Sequence, residues 1–327
     1  MTTGCAAIPT DSRPLVSVVI PTIGRSRVVG DTVDSVLRSH YPNLEVVVVR
    51  NGAGRLLLRI RDPRVAVIHE PRAGAGRARN AGARRATGAV LFFVDDDVIL
   101  QPHTVCHAVA PLLDGTAVGC VTGRIVPMSV ESDAQRLLEA YGGYDKGPEV
   151  RQFSAGDFRR GGPLYPFLPG RLGSGAAIAI PRAVFDSLAG FDERLGPGTP
   201  TRGAEDLDLL VRVLKGGRRV HYEPKAVVSH LHRSDLDALS RQLRGYGIGM
   251  GALVTKEIVA DPMAALRMLA RIPAGARYAL SPRSAKNAGR TAYPLRLTVN
   301  ELVGLLLGPL ALAGSQLRSG WLRRRSV

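Results

Sequence analysis

From Leu15 to about Gly123, short β-branched runs alternate with Arg/Ala-rich stretches suited to helices, and few architectures accept that rhythm. Residues 15–20 (LVSVVI), 44–49 (LEVVVV), 65–69 (VAVIH) and 89–94 (AVLFFV) read as strands, with helices over 27–38 and 76–86 between them. Repeated βαβ units predict an α/β fold with a mostly parallel open sheet flanked by helices. A second half adds strands at 117–126, 174–180, 218–222 and 226–230 and helices at 182–188, 204–214 and 235–250. A Gly/Pro/Arg-rich excursion at 129–170 interrupts it. With 327 residues, 45% of them hydrophobic, the chain has enough material for a large core, which excludes disorder as its general state. Three cysteines without a CxxC pattern suggest neither a disulfide framework nor a structural zinc site, and favour a reducing compartment.

In open α/β sheets ligands bind beyond the carboxyl ends of the strands, which singles out Pro21-Thr22, Arg50-Asn51-Gly52 and Asp95-Asp96-Asp97. The first strand is followed by PTIGRS rather than GxGxxG, so binding of NAD or FAD is not expected. Gly74 to Asn80 (GAGRARN) has a GxG but lacks the third glycine.

Four segments carry chemistry. In FFVDDDVILQP (92–102) an apolar strand delivers three adjacent carboxylates, which suit Mg2+ or Mn2+ completed by phosphate oxygens; a helix N-cap cluster before Pro102 is the structural alternative. In GAEDLDLLVRVLKGG (203–217) Glu205, Asp206 and Asp208 open an amphipathic helix, where a carboxylate complements the macrodipole and can also act as a general base in a cleft. KAVVSHLHR (225–233) places His230 and His232 two apart on a strand, so both can approach one site. RLGSGAAIAIPR (171–182) lets backbone approach a ligand or a neighbouring strand closely.

Taken in order with VSVVIPTIGR and VVVVRNGAG, these segments resemble the nucleotide-sugar-dependent glycosyltransferases of family 2, which have the GT-A fold, from about Val16 to about Gly251. The resemblance implies a nucleoside diphosphate sugar donor, a divalent cation on the diphosphate, Mn2+ or Mg2+, and inverting transfer of one sugar to an acceptor hydroxyl. Position by position it implies that Pro21, Thr22, Asn51, Arg79, Asn80, Asp95 and Asp96 bind the nucleotide sugar. Gly173, Ser174 and Gly175 line the donor-sugar and acceptor cleft, and Asp97 with His230 holds the metal. Asp206, in the pair with Glu205, corresponds to the catalytic base. The acceptor, lipid-linked, glycan or small molecule, is left open.

Two departures stand out. Where the family usually has D-[DN]-G-S after the second strand, this chain has Arg50-Asn51-Gly52-Ala53, so the base is not assigned to uridine. Where processive members carry QxxRW, it reads RQLRGYGIGMG, which favours single-sugar transfer. A sugar nucleotidyltransferase is the alternative enzyme; it normally carries a Gly-rich basic loop after the first strand.

The formal charge of +16 is concentrated at the end, since residues 251–327 hold 12 Lys/Arg against 3 Asp/Glu. A non-enzymatic nucleic-acid-binding protein would explain the total, but aromatics are only 5% and no base-reading motif occurs, so no nucleic-acid partner is expected. The expected organisation is a polar tail at 1–12, a catalytic domain at 13–251 and a basic helical extension at 252–327. In the extension, 302–313 (LVGLLLGPLALA) is too short for an ordinary membrane span and is either a core helix or an interfacial one, with Trp321, Arg323, Arg324 and Arg325 at anionic headgroups. With no basic region and apolar core at the N-terminus, the expected location is cytoplasmic, peripheral on the inner face of the cell membrane.

Overall fold

Adjacent apolar residues of one strand point to opposite faces of a sheet, and here both faces are covered. Val16, Val18 and Ile20 of β1 (Val16–Thr22) join Val46 and Val48 of β2 (Leu44–Asn51) and Phe92 and Val94 of β4 (Val90–Val94) in one core. On that side lie α1 (Val29–Leu37) and α3 (Thr104–Leu113). Val19, Val47, Val49, Leu91 and Phe93 face the other core, packed against α2 (Ala75–Arg85) and α6 (Glu205–Lys215). The computed structural model describes residues 13–24, 28–54, 60–114, 117–156, 169–261 and 294–324, with isolated positions at 56 and between 263 and 277.

The remaining elements are β3 (Val65–Glu70), β5 (Val98–Leu100), β6 (Val118–Pro127), α4 (Asp133–Tyr141), β7 (Arg151–Phe153), β8 (Ala177–Pro181), α5 (Arg182–Ser187), β9 (Arg219–His230), α7 (Leu236–Ala260) and α8 (Leu295–Arg324). Among the described residues nine strands form one sheet in the order β3-β2-β1-β4-β8-β6-β9-β5, with β7 also on β9. The fold is the expected α/β sheet flanked by helices, with a helical C-terminal region. β3, β2, β1, β4, β6 and β9 run one way, while β8, β5 and β7 are antiparallel to their neighbours. Because β8 is reversed, its amino end reaches the rim where β1, β2 and β4 end.

The two expected strands at 218–222 and 226–230 are one strand, β9, whose register on β6 shifts between Gly123 and Arg124 and so absorbs Pro224 and its neighbours. The 129–170 excursion contains α4, opened by a Ser132–Gln135 capping box, and β7. Cys120 is a buried free thiol.

Helix α7 passes unbroken through residue 251, so the expected boundary there lies inside a helix. Glycines explain how α8 then lies against it. A Cβ at Gly247 would sit 2.1 Å from Glu301 O, one at Gly251 2.1 Å from Leu305 O, and one at Gly304 2.3 Å from Arg244 O. Gly247-xxx-Gly251 and Gly304-xxx-Gly308 thus bring two helix backbones together, as small residues four apart do in closely packed helix pairs. On the intervening positions, a Cβ at Gly249 would lie 2.7 Å from the carbonyl carbon of Gly203, just before α6. The run 302–313 sits within α8, and the 24-residue stretch Leu295–Arg318 that contains it is, by length and composition, long and apolar enough to cross a membrane. The expectation of too short a stretch is overturned because the helix extends on both sides of that run. The tail at 1–12, Arg325 and the side chains of Trp321, Arg323 and Arg324 lie outside the described residues.

Gly304→Leu is expected to lower thermal stability by about 1–3 kcal/mol, because backbone has to move to admit the side chain. Gly314→Ala, with nothing within 4 Å of the new Cβ, should be neutral or stabilising. Thermal denaturation of the two variants beside the parent chain checks the helix contact.

Candidate functional site

The carboxyl ends of β1, β2 and β4, the reversed start of β8 and the start of α6 enclose a cleft of about 1990 Å³. Pro21, Thr22, Asn51, Arg79, Asp95, Asp96, Asp97, Gly173, Ser174, Gly175, Glu205, Asp206 and His230 all line it. Asn80 does not. Its amide donates to Phe191 O at 2.9 Å and accepts from Phe191 N at 2.9 Å, so it fixes the 191–193 segment and corrects the expectation of a nucleotide contact.

Arg79 is the joint of the site. Nη1 donates to Glu205 Oε1 at 2.6 Å and Nη2 to Asp95 Oδ1 at 2.8 Å, while the guanidinium lies 5.3 Å from the Phe191 ring centroid. Only 4% of its side chain is exposed. Burial opposes its charge, but Asp95, Glu205 and Asp206 outweigh burial and raise its pKa above the ordinary value.

The three aspartates after β4 divide the work. Asp95 binds Arg79. Asp96 accepts a hydrogen bond from the Thr22 hydroxyl and ties the loop after β1 to the loop after β4. Asp97 points toward His230, with 3.4 Å between Oδ1 and Nε2. Burial and the charges of Asp95 and Asp96 push the Asp97 carboxyl up to about 7, against the pull of Arg233. Burial also lowers His230 to about 4, so its imidazole is neutral.

Behind His230 is a chain that the SHLHR spacing does not reveal. Its Nδ1 is 2.9 Å from His232 Nδ1, and His232 Nε2 is 2.9 Å from Glu139 Oε1 on α4. His232 is buried and His230 faces the cleft, which separates the two histidines. The Glu139 carboxylate accepts a hydrogen bond from His232 Nε2–H. In that tautomer His232 Nδ1 accepts from His230 Nδ1–H, leaving the His230 Nε2 lone pair beside Asp97. Among the described residues no three His, Cys, Asp or Glu side chains converge as a complete metal site. The Asp97–His230 pair suits an ion whose other ligands come from phosphate and water.

Asp206 opens α6. Its Oδ2 accepts from Gly175 N at 2.7 Å and its Oδ1 from Leu207 N at 2.8 Å, at a helix N-terminus that favours negative charge. Ala204 before it has φ of +73° and Arg202 φ of +59°, a strained approach of the kind concentrated at functional sites. Lys256 of α7 pairs with Asp192 at 2.7 Å and with Asp208 of α6, anchoring that helix. Asn51 lines the wall, but its amide is engaged by Glu70 O, Arg72 O and Gly74 N, so it shapes the loop before α2. Outside the expected set, Tyr144, Gln242 and Tyr246 form a hydrogen-bonded group on the rim, and Arg233 follows the histidines. SHLHR contained Arg233; nothing in local spacing joins Tyr144 to a helix about a hundred residues later.

Residues 13–247 match the model of the family described as Glycosyltransferase like family 2. The chain belongs to this family. This family 2 chain is 29% identical over 174 residues to the pre-mycofactocin glycosyltransferase of Mycobacterium tuberculosis, a match covering 53% of the chain and 33% of that relative. The chain thus spans about a third of that relative's length. It is 29% identical over 238 residues to the glucosyl-dolichyl phosphate glucuronosyltransferase of Haloferax volcanii, covering 68% of the chain and 72% of the relative. Among solved structures, a mannosyltransferase from Pyrobaculum calidifontis in complex with GDP-Man and Mn2+ aligns at TM-score 0.56 and 19% identity, over 90% of this chain and 87% of that one. The likeness places the family 2 chain in the GT-A fold.

Arg79→Leu is expected to cost about 3–5 kcal/mol, since it strands buried Glu205 without its cation. Burial and Asp206 push the Glu205 carboxyl up, and Arg79 pulls it down. Without Arg79, burial and Asp206 are opposed only by a backbone hydrogen bond to Glu205, and the carboxyl moves up. A carboxyl raised above its unfolded value of 4.5 destabilises the folded state once pH exceeds that value. The deficit of the variant should therefore widen as pH rises from about 4.5 toward neutrality, as read by denaturant unfolding across that range.

Proposed function

We propose that this chain transfers a single glycosyl group from a nucleoside diphosphate sugar to an acceptor hydroxyl, with inversion and with a divalent cation, Mn2+ or Mg2+, held by Asp97 and His230. The observation that carries this reading is the separation of two acidic groups within one cleft: Asp95–Asp97 at the end of β4 and Glu205–Asp206 at the start of α6, joined by Arg79 through Asp95 and Glu205. A solved neighbour of the same fold with GDP-Man and Mn2+ supports it. The family match disfavours the nucleotidyltransferase alternative.

Donor binding falls to the rim formed by β1, β2 and β4, where Pro21, Thr22 and Asp95 border the cleft. The acceptor side is bounded by Tyr246 and Met250 of α7 and by Leu302 and Leu305 of α8. Asp206 sits between the two sides. Two backbone N–H donors orient its carboxylate, so it takes the acceptor proton as that oxygen bonds to the anomeric carbon. The bond from that carbon to the diphosphate oxygen breaks on the opposite face, and its electron pair leaves with the diphosphate. A divalent ion, when bound, supplies Lewis-acid neutralisation of that charge. Arg233 and Arg202 line the same cleft and add cationic charge.

A panel of nucleotide sugars with Mn2+ tests the reading. Asp206→Asn should lower turnover by about 10²–10⁴-fold while donor affinity changes little. Asp97→Ala should weaken donor binding chiefly when Mn2+ is present. Full turnover in both variants would remove the assignment.

Glu139 sets the His232 tautomer and through it that of His230. Glu139→Leu is therefore expected to weaken Mn2+ affinity by about 10–100-fold, whereas Glu139→Gln, whose amide oxygen still accepts, should stay near the parent value. Electron paramagnetic resonance of free Mn2+ during titration reads this without any turnover, and equal affinities in all three proteins would contradict it.

A further inference from the structure

Helix α8 has two unlike faces. The inner one is attached along its length: Arg296 pairs with Asp237 at 3.0 Å, Asn300 donates to Ser240, Gly304 and Gly308 meet α7, and Ser315 donates to Arg194 O at 2.6 Å. The outer face carries Leu295, Val299, Val303, Leu306, Leu310 and Leu317, spaced as one helical stripe. Leu306 and Leu310 are 77% and 72% exposed. Single exposed leucines are ordinary on protein surfaces, but an unbroken apolar stripe over six turns is not.

We propose that this stripe seats the protein on an anionic lipid surface, with α8 lying in the membrane interface. Charge selects the occupant. Within Leu295–Arg318 the charged residues are Arg296 and Arg318 near the ends and Glu301 on the cleft wall. The region from 251 onward carries 12 Lys/Arg against 3 Asp/Glu, with three consecutive arginines at 323–325. An apolar stripe flanked by arginine matches the headgroup boundary of an anionic bilayer.

Length and hydropathy alone would permit α8 to cross the membrane. Its attachments argue for lying along it. Only 22% of the apolar window is buried in the protein, yet that fraction binds α8 to α7, which carries Arg241, Arg244 and Lys256, and to a cleft lined by carboxylates. Crossing would draw those charges into hydrocarbon, whereas lying flat leaves them in water. Leu302 and Leu305 of the same helix wall the cleft, so the docked molecule holds that side of the cleft beside the lipid.

Co-sedimentation of the full chain with phosphatidylcholine vesicles containing about 30% phosphatidylglycerol, and with pure phosphatidylcholine, tests this. The parent should bind the anionic vesicles at least tenfold more strongly than the neutral ones. Leu306→Lys with Leu310→Lys should abolish at least nine-tenths of that binding, while Val67→Lys, on an exposed position of β3, should not. Thermal denaturation confirms that both variants fold. Equal binding by the parent and the Leu306/Leu310 variant would overturn the proposal. So would a parent that ignores vesicles but forms a dimer which those substitutions dissociate, since a second copy would then be the occupant. Vesicle binding needs no turnover, so its failure is distinguishable from failure of the glycosyl-transfer reading.

Discussion

A buried guanidinium with two carboxylate partners on different elements is the constraint around which the cleft is built. Asp95 ends β4 and Glu205 begins α6, and Arg79 from α2 reaches both. Removing an arginine and two acids from water is costly unless charge and geometry are matched together, so the three elements are positioned jointly or not at all. Phe191 beneath the guanidinium is held in turn by Asn80, one residue along α2. Two neighbouring residues thus perform different tasks: Arg79 faces the cleft and Asn80 holds the support for it.

This distinction shows what could and could not be read from sequence. Strand identity was legible because apolar runs such as LEVVVV supply both faces of a sheet, and each run is local. The acidic motifs were legible because Asp95–Asp97 and Glu205–Asp206 are contiguous. Local spacing does not say whether a polar side chain turns to a cleft or to its own backbone. Asn51 and Asn80 both engage main-chain groups, and Thr22 binds Asp96, although each lies in a motif that points to a ligand. Glu139 belonged to a segment read as irregular, and its link to His232 spans 93 residues. The long α8 was hidden for another reason: Arg296, Asn300 and Glu301 interrupt the hydropathy of its first turns, so only the run from 302 onward reads as apolar.

The alternating glycines of GYGIGMG illustrate a signal present in sequence but without a local meaning. On a helix, Gly245 and Gly249 share one side, while Gly247 and Gly251 share another. The first pair approaches the 202–203 segment that leads into α6, and the second receives α8. The role of each glycine depends on a backbone brought close by tertiary packing, so a reading confined to α7 sees only poor helix formers.

The position of Asp206, the proposed base, follows from these contacts rather than from α6 alone. Gly175 can donate to Asp206 because β8 runs against its neighbours and begins at the cleft; a Cβ there would lie 2.9 Å from Arg79 Nη2 and 3.2 Å from Asp206 Oδ2. On the far side, Lys256 links Asp208 of the same helix to α7, and α7 carries α8 on its other glycine face. Asp206 is therefore located by a strand start on one side and by a stack of two helices on the other. A displacement of α8 large enough to part the Gly247–Gly251 contact would have to be taken up by α7, and Lys256 would transmit it to the helix that presents the carboxylate.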